Sequence, residues 1–218
     1  MIVKCYVAGD ELSSQVSDVT LTALRAGKLV VFPTDTVYGV AADAYNPQAV
    51  QRLLDAKGRS RQQPSPVLTS HSAQAFELVE SIPAGAQALA AAFWPGALTL
   101  VLRRSCAASQ LDLGDKSASV ALRVPALPFL QRLLLATGPL AVSSANRTGE
   151  PAATDCVSAE AMFGDAVGVY LDGGATPGDV ASTIVEFVAT PKGRVLRAGA
   201  LSVAALQTVW PDVELPDA

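Results

Sequence analysis

Apolar residues form two patterns that alternate along the chain. Short, largely apolar stretches predict strands at 29–32, 97–102, 119–124, 140–142 and 183–188, a weakly alternating stretch predicts a first strand at 2–7, and a last strand is expected at 194–197. Apolar residues at helical spacing predict helices at 17–27, 47–57, 72–81, 85–93 and 129–136, with one short helix-like stretch after Leu201. Alternating strands and helices predict a single α/β domain built on a twisted open sheet with flanking helices. We expect this domain at residues 1–201 and a C-terminal tail at 202–218.

Polar side chains cluster where two of the predicted strands end. The strand at 29–32 ends at Pro33 and is followed by Thr34, Asp35, Thr36 and Tyr38. The sequence SSANRTG at 143–149 follows the strand at 140–142. Ligands of α/β proteins tend to bind just beyond strand ends, which makes both loops candidate binding loops. The alternative is that the hydroxyl and amide groups only cap ordinary turns.

Positive charge is concentrated just after the helix at 47–57, for which Asn46 is the predicted N-cap. Lys57, Arg59 and Arg61 lie within five residues around Gly58. Lysine and arginine both suit phosphate oxygens, so the cluster is a candidate oligophosphate clamp, although a solvated basic loop would look the same. A second unusual cation, Arg123, lies in an apolar strand, where it must find a partner or face a cleft. The polar segment 103–116 is expected to be a mobile loop.

Composition narrows the class of protein. Half of the 218 residues are hydrophobic and 17% are charged, which is typical of a globular chain. The net charge of −4 argues against a surface devoted to nucleic acid. Cys5, Cys106 and Cys156 form neither a disulfide framework nor a zinc pattern, and a single histidine, His71, excludes a two-histidine mechanism. The apolar run at 84–102 is too interrupted to span a bilayer, so we expect a soluble, cytoplasmic protein.

Seven stretches, in order along the chain, resemble the threonylcarbamoyl-AMP synthase family, or YrdC-like domain. They are PTDTVYGVAADA at 33–44, KGR at 57–59, FWPGALTLVL at 93–102, LRVP at 122–125, SSANRTG at 143–149, STIVEF at 182–187 and LRAGAL at 196–201. The resemblance covers residues 15–201. It implies a YrdC-like (DHBP-synthase-like) fold whose sheet has a concave, basic cleft. We expect this chain to be the short form of the family, which lacks the additional C-terminal domain of longer relatives.

The resemblance also implies a nucleotidyltransferase reaction. L-threonine, bicarbonate and ATP give threonylcarbamoyl-adenylate and pyrophosphate. By analogy with other phosphoryl chemistry, we expect a Mg2+ ion to help hold the triphosphate. A tRNA-modifying transferase complex then uses the adenylate to make threonylcarbamoyladenosine in tRNA, and this chain itself is expected to bind tRNA weakly. No residue is assigned as a general acid or base, and no metal site is assigned to the protein.

The same resemblance implies roles for individual residues. The residues expected to bind threonine are Thr34, Tyr38, Arg123, Ser144 and Ser182. The residues expected to bind ATP are Lys57, Arg59, Arg61, Ser119, Asn146, Thr154 and Arg197. The chain departs from its relatives at Ser60 and Ser143, where proline is common, and it lacks a histidine in the segment PSPVLTS.

Two other functions remain open at this point. The basic cluster could serve a module that binds double-stranded RNA or tRNA. The chain could also be a carbamoyl-adenylate-forming relative, like the similar domain of hydrogenase maturation proteins. The acidic net charge speaks against the first, and the absence of fused acylphosphatase or zinc-finger segments from this sequence speaks against the second.

Overall fold

The computed structural model describes residues 3–7, 11–114 and 118–215. Its strands are β1 (Val3–Tyr6), β2 (Leu29–Phe32), β3 (Gly39–Asp43), β4 (Val67–Leu68), β5 (Leu98–Arg103), β6 (Ser119–Arg123), β7 (Leu140–Ser144), β8 (Val167–Asp172), β9 (Thr183–Glu186) and β10 (Arg194–Arg197). Its helices are α1 (Ser14–Arg25), α2 (Pro47–Lys57), α3 (Ser72–Glu77), α4 (Ala84–Phe93), α5 (Pro128–Thr137), α6 (Cys156–Phe163) and α7 (Val203–Val209). Two short 3-10 turns occupy Ala107–Gln110 and Gly164–Ala166.

The strands form one mixed sheet in the order β1-β8-β2-β3-β7-β4-β6-β5-β9-β10. The sheet contains both parallel pairs, such as β2 with β8, and antiparallel pairs, such as β3 with β7. The predicted class, a single α/β domain with an open sheet, is confirmed.

Both faces of the sheet are covered, which explains why β2 is apolar without interruption. Leu29 and Val31 pack into the core on the side of α2, α4, α6 and α7. Val30 and Phe32 point to the opposite core, beneath α1 and α5. Because side chains alternate along a strand, a strand with helices on both faces needs an apolar residue at every position.

Helix α2 brings the basic cluster to the sheet, and its ends follow from the sequence. The side chain of Asn46 accepts hydrogen bonds from the amides of Gln48 and Ala49, as predicted for an N-cap. Gly58 ends the helix in the left-handed conformation, with φ of 64°. The chain therefore turns sharply between Lys57 and Arg59.

Several elements differ from the sequence prediction. Strands β3, β4 and β8 and helix α6 were not predicted, because β3 and α6 are rich in small residues and β4 has only two residues. The expected mobile loop at 103–116 is wrong for its described part, up to 114. Arg104 donates to the carbonyl oxygens of Ala108 and Leu111, and the side chains of Ala108, Leu111 and Leu113 are buried. Residues 115–117 lie outside the described part of the chain.

The residues after 201 continue the packed structure. Helix α7 lies against α4, and Leu206 and Val213 are buried in the same core as β5. The boundary at residue 201 stays a prediction. No helix among the described residues combines the length and the apolar character that a membrane span needs.

Candidate active site

A pocket opens where the loop after β2 faces strands β5, β6 and β7 and the segment that precedes β9. Its lining residues are Thr34, Thr36, Val37, Tyr38, Gly39, Arg59, Pro66, Leu68, Thr99, Arg123, Val142, Ser143, Ser144, Ala181, Ser182 and Arg197. Most of the residues implied by the resemblance are in this set. The pocket therefore brings together segments that are far apart in sequence.

The loop after β2 is held by its own hydroxyl groups. The Thr34 hydroxyl donates to the carbonyl oxygen of Val37 at 2.7 Å and accepts from the amide of Thr36 at 3.1 Å. It also lies 2.9 Å from the Thr36 hydroxyl. Since Thr34 has already given its only hydroxyl hydrogen to Val37, Thr36 donates in this contact. The Thr34 hydroxyl thus has no further donor or acceptor capacity, so a contact of Thr34 with a ligand would come from its methyl or main-chain groups.

Arg123 is the buried cation of the site, with 6% exposure. Its guanidinium donates to Asp35 Oδ1 at 2.8 Å, to the Thr36 hydroxyl at 3.0 Å and to the carbonyl oxygen of Gly96 at 3.0 Å. Asp35 Oδ1 also accepts from the amide of Ala126 at 3.0 Å. Burial lowers the pKa of Arg123 and Asp35 raises it. The sequence predicted that Arg123 would either find a partner or face a cleft. It does both, because it pairs with Asp35 and lines the pocket.

Two further arginines line the same pocket. Arg197 donates twice to the carbonyl oxygen of Ser182, at 3.1 and 2.7 Å. Partial burial lowers the pKa of Arg197, and so do the positive charges of Arg123 and Arg59. The Nε of Arg59 is buried and makes no hydrogen bond with any described residue. The three guanidiniums give the pocket a positive potential that favours an anionic ligand.

Lys57 lies behind this lining rather than in it. The side chain is 1% exposed, and its ammonium donates to the carbonyl oxygen of Ser144 at 2.5 Å, to that of Asn146, and to Asn146 Oδ1 at 2.8 Å. An ammonium has three hydrogens, so all are used. Burial and the charge of Arg59 lower the pKa of Lys57 to about 7. The predicted direct contact between Lys57 and phosphate therefore does not match the geometry of this structure, in which Lys57 supports the loop after β7.

Of the remaining predicted residues, Tyr38 lines the pocket, whereas Arg61, Ser119, Asn146 and Thr154 are not among its lining residues. The hydroxyl of Tyr38 donates to the carbonyl oxygen of Gly174 at 2.7 Å, away from the pocket. Arg61 forms an ion pair with Asp112 at 2.6 Å. Ser119 begins β6, and the carbonyl oxygen of Thr154 accepts from the amide of Thr176 at 2.8 Å. Asn146 accepts a hydrogen bond from Lys57 through its side-chain oxygen. Of these five residues, Tyr38 alone is a lining residue of the pocket.

Sequence reasoning missed three hydroxyl residues that line the pocket: Thr36, Thr99 and Ser143. Thr36 lies within the polar loop but was not given a role. Thr99 is the only polar residue of the apolar run ALTLVL, and that isolation was the available signal. Ser143 is 5% exposed and follows the apolar part of β7. The only signal for Ser143 in the sequence was that relatives often have proline at this position.

Comparisons with known proteins show the family of this chain. The profile of the Sua5/YciO/YrdC family, described as telomere recombination, matches residues 22–199. A Mycobacterium leprae protein assigned as a threonylcarbamoyl-AMP synthase is 48% identical over 190 residues, which are 87% of this chain and 85% of that protein. The structure of Pyrococcus abyssi Sua5 in complex with L-threonine matches with a TM-score of 0.88 and 31% identity. That match covers 99% of this chain and 62% of the Sua5 chain.

The structure of E. coli YciO has a TM-score of 0.82 and covers 94% of this chain and all of its own, at 21% identity. At that level of identity it supports the fold alone. The family profile spans most of the chain, and the Mycobacterium leprae relative is matched over most of its length. The chain belongs to the Sua5/YciO/YrdC family.

Proposed function

We propose that this chain is an L-threonylcarbamoyladenylate synthase, which makes threonylcarbamoyl-AMP and pyrophosphate from L-threonine, bicarbonate and ATP. The observation that carries the proposal is the convergence of Arg59, Arg123 and Arg197 on a hydroxyl-lined pocket at the ends of the strands. Such a pocket suits a ligand set that combines a carboxylate with a triphosphate. The names of the relatives point to the same activity.

The proposed reaction has two bond-forming stages. The threonine amine and bicarbonate give a carbamate and water. A carbamate oxygen then bonds to the α-phosphorus of ATP while the bond from that phosphorus to the pyrophosphate breaks. This chemistry requires positioning and neutralisation of charge more than a covalent nucleophile. We assign no residue as a general base.

Each guanidinium has a proposed ligand. Arg123 has two N–H groups left after its three hydrogen bonds, and we assign them to the threonine carboxylate. Arg59 and Arg197 are assigned to the phosphates, because both line the pocket and Arg59 has an unpartnered buried Nε. Arg61, Ser119 and Thr154 keep their predicted ATP-side roles as proposals. Thr34, Tyr38, Ser144 and Ser182 keep threonine-side roles, with Thr34 acting through its methyl and main-chain groups.

Lys57 and Asn146 are assigned an indirect role on the ATP side. They hold Ser144 in place through its carbonyl oxygen, and the Ser144 hydroxyl donates to Asn146 Oδ1 at 2.6 Å. The lysine thereby fixes the wall of the pocket from behind.

A Mg2+ ion fits this site as a companion of the nucleotide. Among the described residues there is no group of three or more histidine, cysteine, aspartate or glutamate side chains that could hold a metal. The charged groups that line the pocket are arginines. Mg2+ is commonly bound by substrate phosphates and water with few protein ligands, and when bound with ATP it supplies neutralisation of phosphate charge.

The proposed setting is the cytoplasm, where a tRNA-modifying transferase would take up the adenylate. Direct tRNA binding by this chain should be weak, because the net charge is −4. It should also weaken further as salt rises. Tight binding that is insensitive to salt would favour an RNA-binding module instead.

Isotope labelling tests the proposed product. The protein is incubated with ATP, Mg2+, L-threonine and 13C-labelled bicarbonate, and the adenylates are analysed by mass spectrometry. We expect threonylcarbamoyl-AMP that is one mass unit heavier than the product from unlabelled bicarbonate. An adenylate without the label, or labelled carbamoyl-adenylate formed equally well without threonine, would contradict the proposal.

A further inference from the structure

A pair of hydroxyl groups, from Thr99 and Ser182, lies in the pocket wall opposite the loop after β2. The two oxygens are 2.8 Å apart. Thr99 is on β5 and is 1% exposed, whereas Ser182 directly precedes β9 and is 5% exposed. The guanidinium of Arg197 donates to the Ser182 hydroxyl oxygen at 3.2 Å. Both residues line the pocket, and no role was predicted for Thr99.

The surroundings decide which hydroxyl donates to the other. Either direction leaves one hydroxyl hydrogen without an acceptor among the described residues: that of Thr99, which is 1% exposed, if Ser182 donates, or that of Ser182, which is 5% exposed and more accessible to a ligand, if Thr99 donates. An unsatisfied buried donor costs about 1–3 kcal/mol. If Thr99 donates, the Ser182 oxygen accepts from Thr99 and from Arg197, and both of its lone pairs are filled. The Ser182 hydroxyl can then act only as a donor, and its hydrogen is directed to the pocket.

The other predicted threonine-side hydroxyls lack this free hydrogen. The hydrogen of Thr34 is used on Val37, and that of Tyr38 on Gly174. The hydrogen of Ser144 is used on Asn146. Among the predicted threonine-binding residues, Ser182 is therefore the one whose hydroxyl hydrogen remains available for a ligand.

We propose that Thr99 is a positioning residue, which fixes Ser182 as a hydrogen-bond donor toward an oxygen of the amino-acid substrate. The acceptor is the substrate's carboxylate or its hydroxyl oxygen. This inference rests on the proposed function, because it takes the ligand to be a hydroxy amino acid. It adds a residue that acts through Ser182 and does not itself touch the substrate.

A double-mutant cycle separates this role from a purely structural one. L-threonine binding is measured by calorimetry for the wild type, Thr99→Val, Ser182→Ala and the double variant. Thr99→Val keeps the shape of the side chain and removes the hydroxyl. We expect it to weaken threonine binding about 3- to 10-fold, the effect of one neutral hydrogen bond, and to leave ATP binding unchanged. In the Ser182→Ala background the same change should have no further effect, and Thr99→Ser should restore binding.

Several results would overturn the inference. Wild-type affinity in Thr99→Val would do so, and so would an equal loss in the presence and absence of Ser182. If the wild type binds no threonine at all, the proposed function fails and the inference fails with it. A parallel titration with L-valine identifies the acceptor. A loss for both amino acids in Thr99→Val assigns the carboxylate, and a loss for threonine alone assigns the hydroxyl.

Discussion

Lys57 donates hydrogen bonds to both oxygen atoms of Asn146, the main-chain carbonyl and the side-chain amide oxygen. The loop after β7 also donates to Lys57: the amide and the hydroxyl of Thr148 donate to the Lys57 carbonyl oxygen, at 3.0 and 2.8 Å. The end of α2 and the loop after β7 are therefore one rigid unit. Arg59 follows Lys57 by two residues and Ser144 precedes Asn146 by two, so this unit sets the position of two lining residues.

Replacing Lys57 should reduce the stability of the fold. Lys57→Ala removes the hydrogen bonds of the ammonium to the carbonyl oxygens of Ser144 and Asn146 and to Asn146 Oδ1, of which Oδ1 still accepts from the Ser144 hydroxyl. A buried acceptor that loses its partner costs about 1–3 kcal/mol. Urea denaturation should show a loss of unfolding free energy of at least that size. The matched control is Arg61→Ala, since the ion pair with Asp112 is partly exposed and pairs of that kind are worth about 0–1 kcal/mol. Equal stability of Lys57→Ala and the wild type would remove the supporting role.

The lowered pKa of Lys57 predicts a dependence of stability on pH. Its folded-state pKa is about 7, against 10.5 for an unperturbed lysine, so the unfolded chain binds more protons between these values. The unfolding free energy should therefore rise with pH from about 7 to 8.5, by roughly 1–2 kcal/mol from this residue. Lys57→Met, which cannot titrate, should lack this rise. The check is the difference between the two proteins in urea denaturation at several pH values, and parallel curves would contradict the pKa.

Much of the site was predictable because its residues stand out locally. The polar loop at 34–38 follows an apolar strand, and Arg123 interrupts another, so both could be recognised as anomalies that needed a partner or a ligand. The same logic would have identified Thr99, which is the only polar residue within its run. Asn46 marked the start of α2 by its ordinary capping chemistry.

The orientation of side chains was not predictable in this way. Lys57 and Arg59 look equivalent in the sequence, but the left-handed turn at Gly58 sends one side chain behind the wall and the other into the pocket. Strand β8 was missed because Gly168 and Asp172 weaken its apolar pattern, although it pairs in parallel with the buried strand β2 on one side and with the edge strand β1 on the other. In both cases the outcome depends on packing between distant segments.

Removing a pocket arginine should weaken the use of ATP. Arg59→Ala and Arg197→Ala should each cost about 1.5–3 kcal/mol in the kcat/KM for ATP, the scale of a hydrogen bond to a charged group. Pyrophosphate release at varied ATP concentration measures this. Arg25→Ala is the control, because Arg25 is exposed at the end of α1 and is not among the pocket residues. Unchanged ATP dependence in both pocket variants would take these arginines out of the phosphate site.

The hydroxyl groups of the pocket predict the choice of amino acid. Serine lacks one methyl of threonine, and a pocket gains about 10- to 200-fold at most from a methylene or methyl group. Valine lacks the hydroxyl, so a site that binds this group leaves its own polar atoms unpaired. We expect serine to be a poor but measurable substrate and valine to be rejected far more strongly. A higher kcat/KM for valine than for serine would mean that the pocket does not recognise the substrate hydroxyl, and Ser182 could then serve only the carboxylate.

The central claim is that ATP is cleaved to join an adenylate to a carbamate of threonine. Pyrophosphate release is measured with ATP and Mg2+ present while threonine and bicarbonate are omitted in turn, in buffer purged of carbon dioxide. We expect rapid release only when both are present, and near-background release when either is missing. Equal release without threonine would contradict it.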